Sequence, residues 1–180
     1  LTAYDFTSAR LVDQANIPLI LVGDSAAMVV YGYDTTIPVS MDEMAFLVAS
    51  VSRGANQALV VADMPFLSYQ VSIENAIFNA GRFIKESGAQ AVKLEGGEEY
   101  ANRISGIVNA GIPVMAHIGL TPQSFHQMSG YKVQGKTQRS AEKLLEDAKA
   151  VEKAGAFALV LEGIPSELAK RLTEYVTIPT

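Results

Sequence analysis

One pattern recurs along this chain and limits what it can fold into. A short apolar run stops at an ionisable residue and is followed by a loop, a helix-like stretch and a glycine. The runs lie at 19–22 before Gly23 and Asp24, at 58–62 before Asp63, and at 91–92 before Lys93 and Glu95. Two more lie at 113–116 before His117 and at 156–161 before Glu162, and a shorter run from Thr2 to Tyr4 precedes Asp5. Apolar runs without polar alternation suit strands covered on both faces, as parallel strands are.

The stretches between them, at 40–52, 72–86, 98–109, 140–153 and 165–175, have helical spacing and good helix formers. Gly54, Gly88, Gly111 and Gly155 stand near their ends, where a left-handed residue closes a helix without a Cβ penalty. Strands alternating with helices indicate an α/β fold with a parallel sheet, either doubly wound or closed as a barrel. An open sheet concentrates function at a switch point, whereas a barrel collects it from many strand ends. Ionisable residues end nearly every run here, which favours a (β/α)8 TIM barrel. Six strands are expected, with a further start at Ile178-Pro179 and one at Asn16-Ile17-Pro18. The chain is therefore expected to be a single barrel domain over 1–180, covering about six of eight β/α units and truncated at its C-terminal end. The aperiodic connection at 117–140 is expected to be a lid or substrate loop.

Composition narrows the chemistry. The chain has no cysteine, which leaves His, Asp, Glu and backbone oxygens as metal ligands, so any bound ion should be hard. A net charge of -5 argues against nucleic acid and anionic membranes as partners. No run approaches the length of a membrane span, and nothing in the first residues resembles a secretion signal, so a soluble cytoplasmic protein is expected.

Asp24 and Asp63 each follow a strand run, where two carboxylates can share a Mg²⁺ ion with waters and substrate oxygens. Each could instead cap the following turn, but Glu95 on a third strand end makes capping less sufficient. Lys93 and Glu95 are two residues apart and so point to one side of their strand. The lysine could be a structural ion pair, a holder of a substrate carboxylate, or both. Glu162 ends the most apolar run, where desolvation raises proton affinity and suits a general base. A chelated 2-oxo acid would lose a C3 proton to such a base through a metal-stabilised enolate. His117 could bind a substrate oxygen, act as an acid or be structural. Ser25 is read as a substrate-binding donor and His126 as a surface or lid residue. The glycines at 96–97 and 130–135 match neither a dinucleotide nor a Walker pattern, so nucleotide binding is rejected.

Several motifs resemble those of the ketopantoate hydroxymethyltransferase family: TAYD at 2–5, LVGDS at 21–25, YGYDTT at 31–36 and VADMPF at 61–66. VKLEGG at 92–97, AHIGLTPQ at 116–123, GYKVQG at 130–135 and LEGIP at 161–165 continue the match in order along nearly the whole chain. The resemblance implies a cytoplasmic Mg²⁺-dependent transferase of (β/α)8 fold in pantothenate biosynthesis. It would move a hydroxymethyl group from the co-substrate 5,10-methylenetetrahydrofolate to 3-methyl-2-oxobutanoate, giving 2-dehydropantoate. By the same resemblance Asp24, Asp63 and Glu95 hold the metal, with both aspartates beside the oxo acid. Ser25, Lys93 and His117 bind substrate, and Glu162 accepts the proton. The family implies a homodecamer. This sequence departs from the family at Met128-Ser129-Gly130, where a glycine pair is usual, and lacks the glycine-rich segment after the seventh strand start. Two other readings remain: a Mg²⁺-dependent lyase or aldolase of the phosphoenolpyruvate-mutase type, and a non-catalytic metabolite-binding barrel.

Overall fold

The structure, a computed structural model, describes residues 1–128 and 130–180. The chain runs through α1 (Phe6–Gln14), β1 (Leu19–Val22), the one-turn α2 (Ala26–Val29), α3 (Met41–Gly54), β2 (Leu59–Asp63), α4 (Ile73–Ser87) and β3 (Ala91–Glu95). A 3-10 turn at Glu98–Tyr100 then leads into α5 (Ala101–Asn109) and β4 (Val114–Gly119). A second such turn at Pro122–Ser124 leads into α6 (Phe125–Met128), followed by α7 (Gln138–Lys153), β5 (Ala158–Glu162) and α8 (Ser166–Tyr175).

The helices start where their sequences supply caps. Ser40 and Glu43 form a reciprocal capping box at α3, and Ser72 accepts the Asn75 N–H at α4. Gly88 ends α4 at φ +75, the left-handed geometry expected of it. Buried Asp13, near the end of α1, accepts the N–H groups of Gln57 and Ala58 at 2.9 and 2.8 Å, which ties that helix to the start of β2.

The five strands are parallel and lie in sequence order, β1-β2-β3-β4-β5. A doubly wound sheet reverses its order at a switch point, and this one does not, so the strands form the wall of a half barrel. One face packs on the helices through Ile20, Val22, Val60, Ala62, Val92, Leu94, Ala116 and Leu159. The opposite face carries Leu21, Val61, Ala91, Met115, Ala158 and Val160. Side chains alternate along a strand, so the same inner face carries Asp63, Lys93, Glu95, His117 and Glu162 one step further along. The register aligns them: Asp63 is opposite Lys93, Glu95 opposite His117 and Gly119 opposite Glu162.

The expected count of six strands needs correction. The segment at Thr2 makes only a single parallel bridge to Leu21, with the Ala3 N–H reaching the Leu21 carbonyl at 3.2 Å. It stops there because Asp5 turns the chain into α1 and caps it, accepting from the N–H groups of Thr7 and Ser8. The expected start at Ile178-Pro179 does run beside the sheet, where the Pro179 carbonyl accepts the Leu159 N–H at 2.9 Å. In the connection at 117–140, β4 continues to Gly119 and two short helical turns follow. Ser129, part of the departure from the family pattern, lies outside the described residues.

Gly119 sets how closely β4 and β5 approach at their functional ends. It has φ +98, and a Cβ there would lie 2.2 Å from the Glu162 carbonyl oxygen, which also accepts the Leu120 N–H at 2.7 Å. Gly119→Ala should therefore destabilise the protein by about 3 kcal/mol in urea unfolding. A loss below about 1 kcal/mol would show that the ends of the two strands tolerate separation.

Candidate active site

The inner-face residues converge at the C-terminal ends of the strands around a cavity of about 260 Å³. Asp24, Ser25, Asp63, Lys93, Glu95, His117 and Glu162, all singled out in the sequence, line it. Asp24, Asp63, Lys93, Glu95 and His117 are each at most 4 % exposed. Ser25 is half-buried, and its hydroxyl is 2.8 Å from that of Tyr4.

Lys93 is the hub. Its Nζ lies 2.7 Å from Asp63 Oδ1, 3.2 Å from His117 Nδ1 and 3.9 Å from Glu95 Oε1. Asp63 Oδ2 accepts the backbone N–H of Asp24 at 3.1 Å, which joins the end of β1 to that of β2. Apart from its ion contact with Lys93, Asp63 Oδ1 makes no hydrogen bond.

Asp24, Asp63 and Glu95 surround one buried ammonium, and burial with neighbouring charge governs the proton affinities of Asp24, Glu95 and Lys93. Burial pushes the Asp24 carboxyl up to about 7, with the neighbouring Asp63 adding to the effect and Lys93 opposing it. Burial also raises Glu95, to about 8, against the lowering effect of Lys93. Burial by itself would lower the proton affinity of Lys93, but Asp63, Glu95 and Asp24 outweigh it and hold the ammonium charged. Burial, followed by the Lys93 charge, drives His117 well below the usual imidazole range, so its ring is neutral.

The tautomer of His117 follows. An ammonium can only donate, so Nδ1 beside Lys93 is the bare nitrogen and Nε2 carries the proton. That Nε2 lies 3.4 Å from Glu162 Oε2. Glu162 itself is less enclosed than its apolar run suggests. Its side chain is 45 % exposed. Its proton affinity is nonetheless raised, chiefly by burial, with Lys93 opposing.

Among the described residues no three His, Asp or Glu side chains are already drawn together as a metal cluster. The donor set still fits a hard divalent ion. It offers carboxylate oxygens only, negative charge exceeds positive, and Mg²⁺ commonly takes just one or two carboxylates.

Sequence reasoning gave no role to Gln123 or Tyr69. Gln123 bonds to both Asp24 and Glu95, and the Tyr69 hydroxyl bonds to the backbone of Glu95 and to Gln123. Gln123 lies inside a motif quoted above, but an uncharged amide in a loop has no periodicity or charge to mark it. His126 is exposed and lines a separate cavity of about 490 Å³, which shares Glu95 with the smaller one.

The model of the ketopantoate hydroxymethyltransferase family matches residues 1–180. The 3-methyl-2-oxobutanoate hydroxymethyltransferase of Dehalococcoides mccartyi strain BAV1 is 59% identical over 180 residues, all of this chain and 64% of that protein. The enzyme of the same name from Geobacter metallireducens is 58% identical over all of this chain and 67% of its own length. The chain thus spans about two thirds of the relatives it matches. Among solved structures, a putative phosphonomutase from Burkholderia cenocepacia J2315 superposes with TM-score 0.76 at 21% identity, over 99% of this chain and 73% of that one. A 2,3-dimethylmalate lyase of the PEP mutase/isocitrate lyase superfamily gives 0.72 at 21% identity, over 96% and 61%. At such identities these likenesses show the fold alone.

Both raised acids have folded-state values above their ordinary 3.8 and 4.5, so between those limits the folded protein holds more protons than the unfolded chain. Stability from these groups is therefore lost as pH rises through that window. With divalent cations chelated, unfolding free energy should fall between pH about 5 and about 8, by at most about 1.4 kcal/mol per pH unit for each acid. Asp24→Asn should flatten the slope. A wild-type stability that climbs through the same interval would contradict the charge balance described.

Proposed function

This chain belongs to the ketopantoate hydroxymethyltransferase family, and from that premise we propose that it carries the reacting face of a hydroxymethyltransferase. The reaction moves a hydroxymethyl group from 5,10-methylenetetrahydrofolate to 3-methyl-2-oxobutanoate, giving 2-dehydropantoate for pantothenate synthesis. The observation that best supports this reading is the set of three buried carboxylates around Lys93, with Glu162 on the wall of the same cavity.

Asp24, Asp63 and Glu95 would hold Mg²⁺. When bound, the ion withdraws electron density from the keto oxygen of the 2-oxo acid and so acidifies its C3 hydrogen. Lys93 is placed to neutralise the substrate carboxylate, and the Ser25 hydroxyl, steadied by Tyr4, to donate to a substrate oxygen. Glu162 accepts the C3 proton, since its raised proton affinity suits a base working near neutrality. The neutral His117 ring lines the pocket with its Nε2 3.4 Å from that carboxylate and without a hydrogen-bond partner in the protein. Water adds to the methylene carbon of the folate, its bonds to both nitrogens break, and tetrahydrofolate leaves with two N–H hydrogens. The electron pair left at C3 bonds to the resulting carbonyl carbon, and the oxygen that came from water takes up a proton as the new hydroxyl.

The same reading extends to the assembly: a (β/α)8 barrel of which residues 1–180 form a single domain. That domain supplies about six units if the bridged segment at Thr2 is counted. It also extends to a homodecamer working in the cytoplasm on small molecules, without nucleic acid or membrane. No helix among the described residues is long and apolar enough to cross a membrane, which is compatible with that setting.

Product formation should require both Mg²⁺ and 5,10-methylenetetrahydrofolate, and folate-independent cleavage of a C–C or P–C bond would overturn the reading in favour of a lyase. Glu162→Gln should slow exchange of the C3 hydrogen of 3-methyl-2-oxobutanoate in D₂O by about 10²- to 10⁴-fold. Exchange at the wild-type rate would remove Glu162 as the base. Replacing Asp24 and Asp63 together with Asn should abolish cation-dependent binding of the oxo acid, and binding that still responds to Mg²⁺ would sink the chelation model.

A further inference from the structure

Gln123 stands at the second position of the 3-10 turn Pro122–Ser124 and is 5 % exposed. Its backbone N–H donates to Glu95 Oε2 at 3.0 Å. Its side-chain Nε2 donates to Asp24 Oδ2 at 2.9 Å and to the Met64 carbonyl at 2.8 Å. Its Oε1 accepts from the Tyr69 hydroxyl at 2.8 Å and from Gln70 Nε2 at 3.0 Å. Both amide hydrogens and both lone pairs of the side chain are thus engaged.

The partners also fix which way the amide faces. A carbonyl can only accept, so the nitrogen must face Met64. The Tyr69 oxygen accepts the Glu95 N–H at 3.2 Å, and its one hydrogen faces Oε1 at 2.8 Å and the Glu95 carbonyl at 3.1 Å. Asp24 therefore always meets a donor. Asp24 follows β1 and Glu95 ends β3, and Gln123 holds Asp24 Oδ2 and Glu95 Oε2, while Glu95 Oε1 faces Lys93 Nζ at 3.9 Å.

We propose that Gln123 is the positioning residue of the cation site: it sets the Asp24 and Glu95 carboxylates in the relative arrangement that a shared divalent ion needs. This rests on the reading of those two acids as cation ligands. Partners behind a ligand, rather than the ligands alone, fix ligand orientation, and their loss typically weakens metal affinity.

The test is a titration of the purified protein with Mn²⁺ alone, with free ion counted by electron paramagnetic resonance. Gln123→Met keeps the bulk and the backbone N–H to Glu95 and deletes only the amide. It should bind Mn²⁺ about tenfold more weakly than wild type at a temperature where both are folded by circular dichroism. Wild-type affinity in that folded variant overturns the proposal. Should it not fold, Tyr69→Phe removes one anchor of the amide and should weaken Mn²⁺ binding by about threefold, the effect of a single neutral hydrogen bond. An unchanged affinity there overturns it equally. A wild-type protein that takes up no Mn²⁺ sinks the underlying functional reading, and with it this inference, before any variant is compared.

Discussion

The contact between Lys93 Nζ and Asp63 Oδ1 is the interaction on which the rest of this site depends. Both groups are almost fully buried, and an isolated charge in that position would be unfavourable by several kcal/mol. Each makes the other tolerable. Without the ammonium, Asp63 and Glu95 would face each other's charge across neighbouring strands; without Asp63, the lysine would lose the largest of the charges that oppose its discharge by burial. The pair does not balance the whole cluster, however. Asp24 and Glu95 are left in excess, and their proton affinities are raised first by burial and then by the neighbouring carboxylates.

Placing so much charge inside the protein is possible because the sheet confines it to one layer. Along the inner face, Val61, Ala91, Met115, Ala158 and Val160 fill the lower part, and the ionisable residues follow at the next inward position of each of these strands. The apolar layer thus lies below the ionisable one, which stands at the C-terminal strand ends, as in a barrel wall. Gly119 lets β5 come close enough for Glu162 to join that layer beside His117. Function and stability therefore pull in opposite directions here: the same burial that tunes the acids makes the unliganded site costly.

His117 illustrates how one buried proton position organises a neighbour. Lys93 occupies the Nδ1 side, which leaves the hydrogen on Nε2, a nitrogen 3.4 Å from Glu162 Oε2 and without a hydrogen-bond partner. A histidine protonated on both nitrogens would instead repel the lysine. The neutral ring thus stands between the charged hub and the carboxylate on β5 without adding charge of its own.

How much of this was legible beforehand depends on the range over which each feature is decided. Apolar runs ending in Asp63, Lys93, Glu95, His117 and Glu162 fixed the strands and their parallel pairing, because burial on both faces forbids polar alternation. Period-two geometry then placed Lys93 and Glu95 on one side. Helix caps such as Ser40 with Glu43 are equally local. The count of strands misjudged Thr2, since the Asp5 cap that ends the segment competes with pairing in a way the apolar pattern does not record. The roles of Gln123 and Tyr69 were invisible, because an amide and a phenol become site residues only through partners 26 to 99 positions away. The ionisable layer at the strand ends was thus determined by the sequence itself, through the short-range rules of burial and alternation. Which of its oxygens are held, by what, and how far Glu162 stays exposed were decided only by the tertiary structure, because hydrogen-bond geometry and desolvation are set by residues distant in the chain.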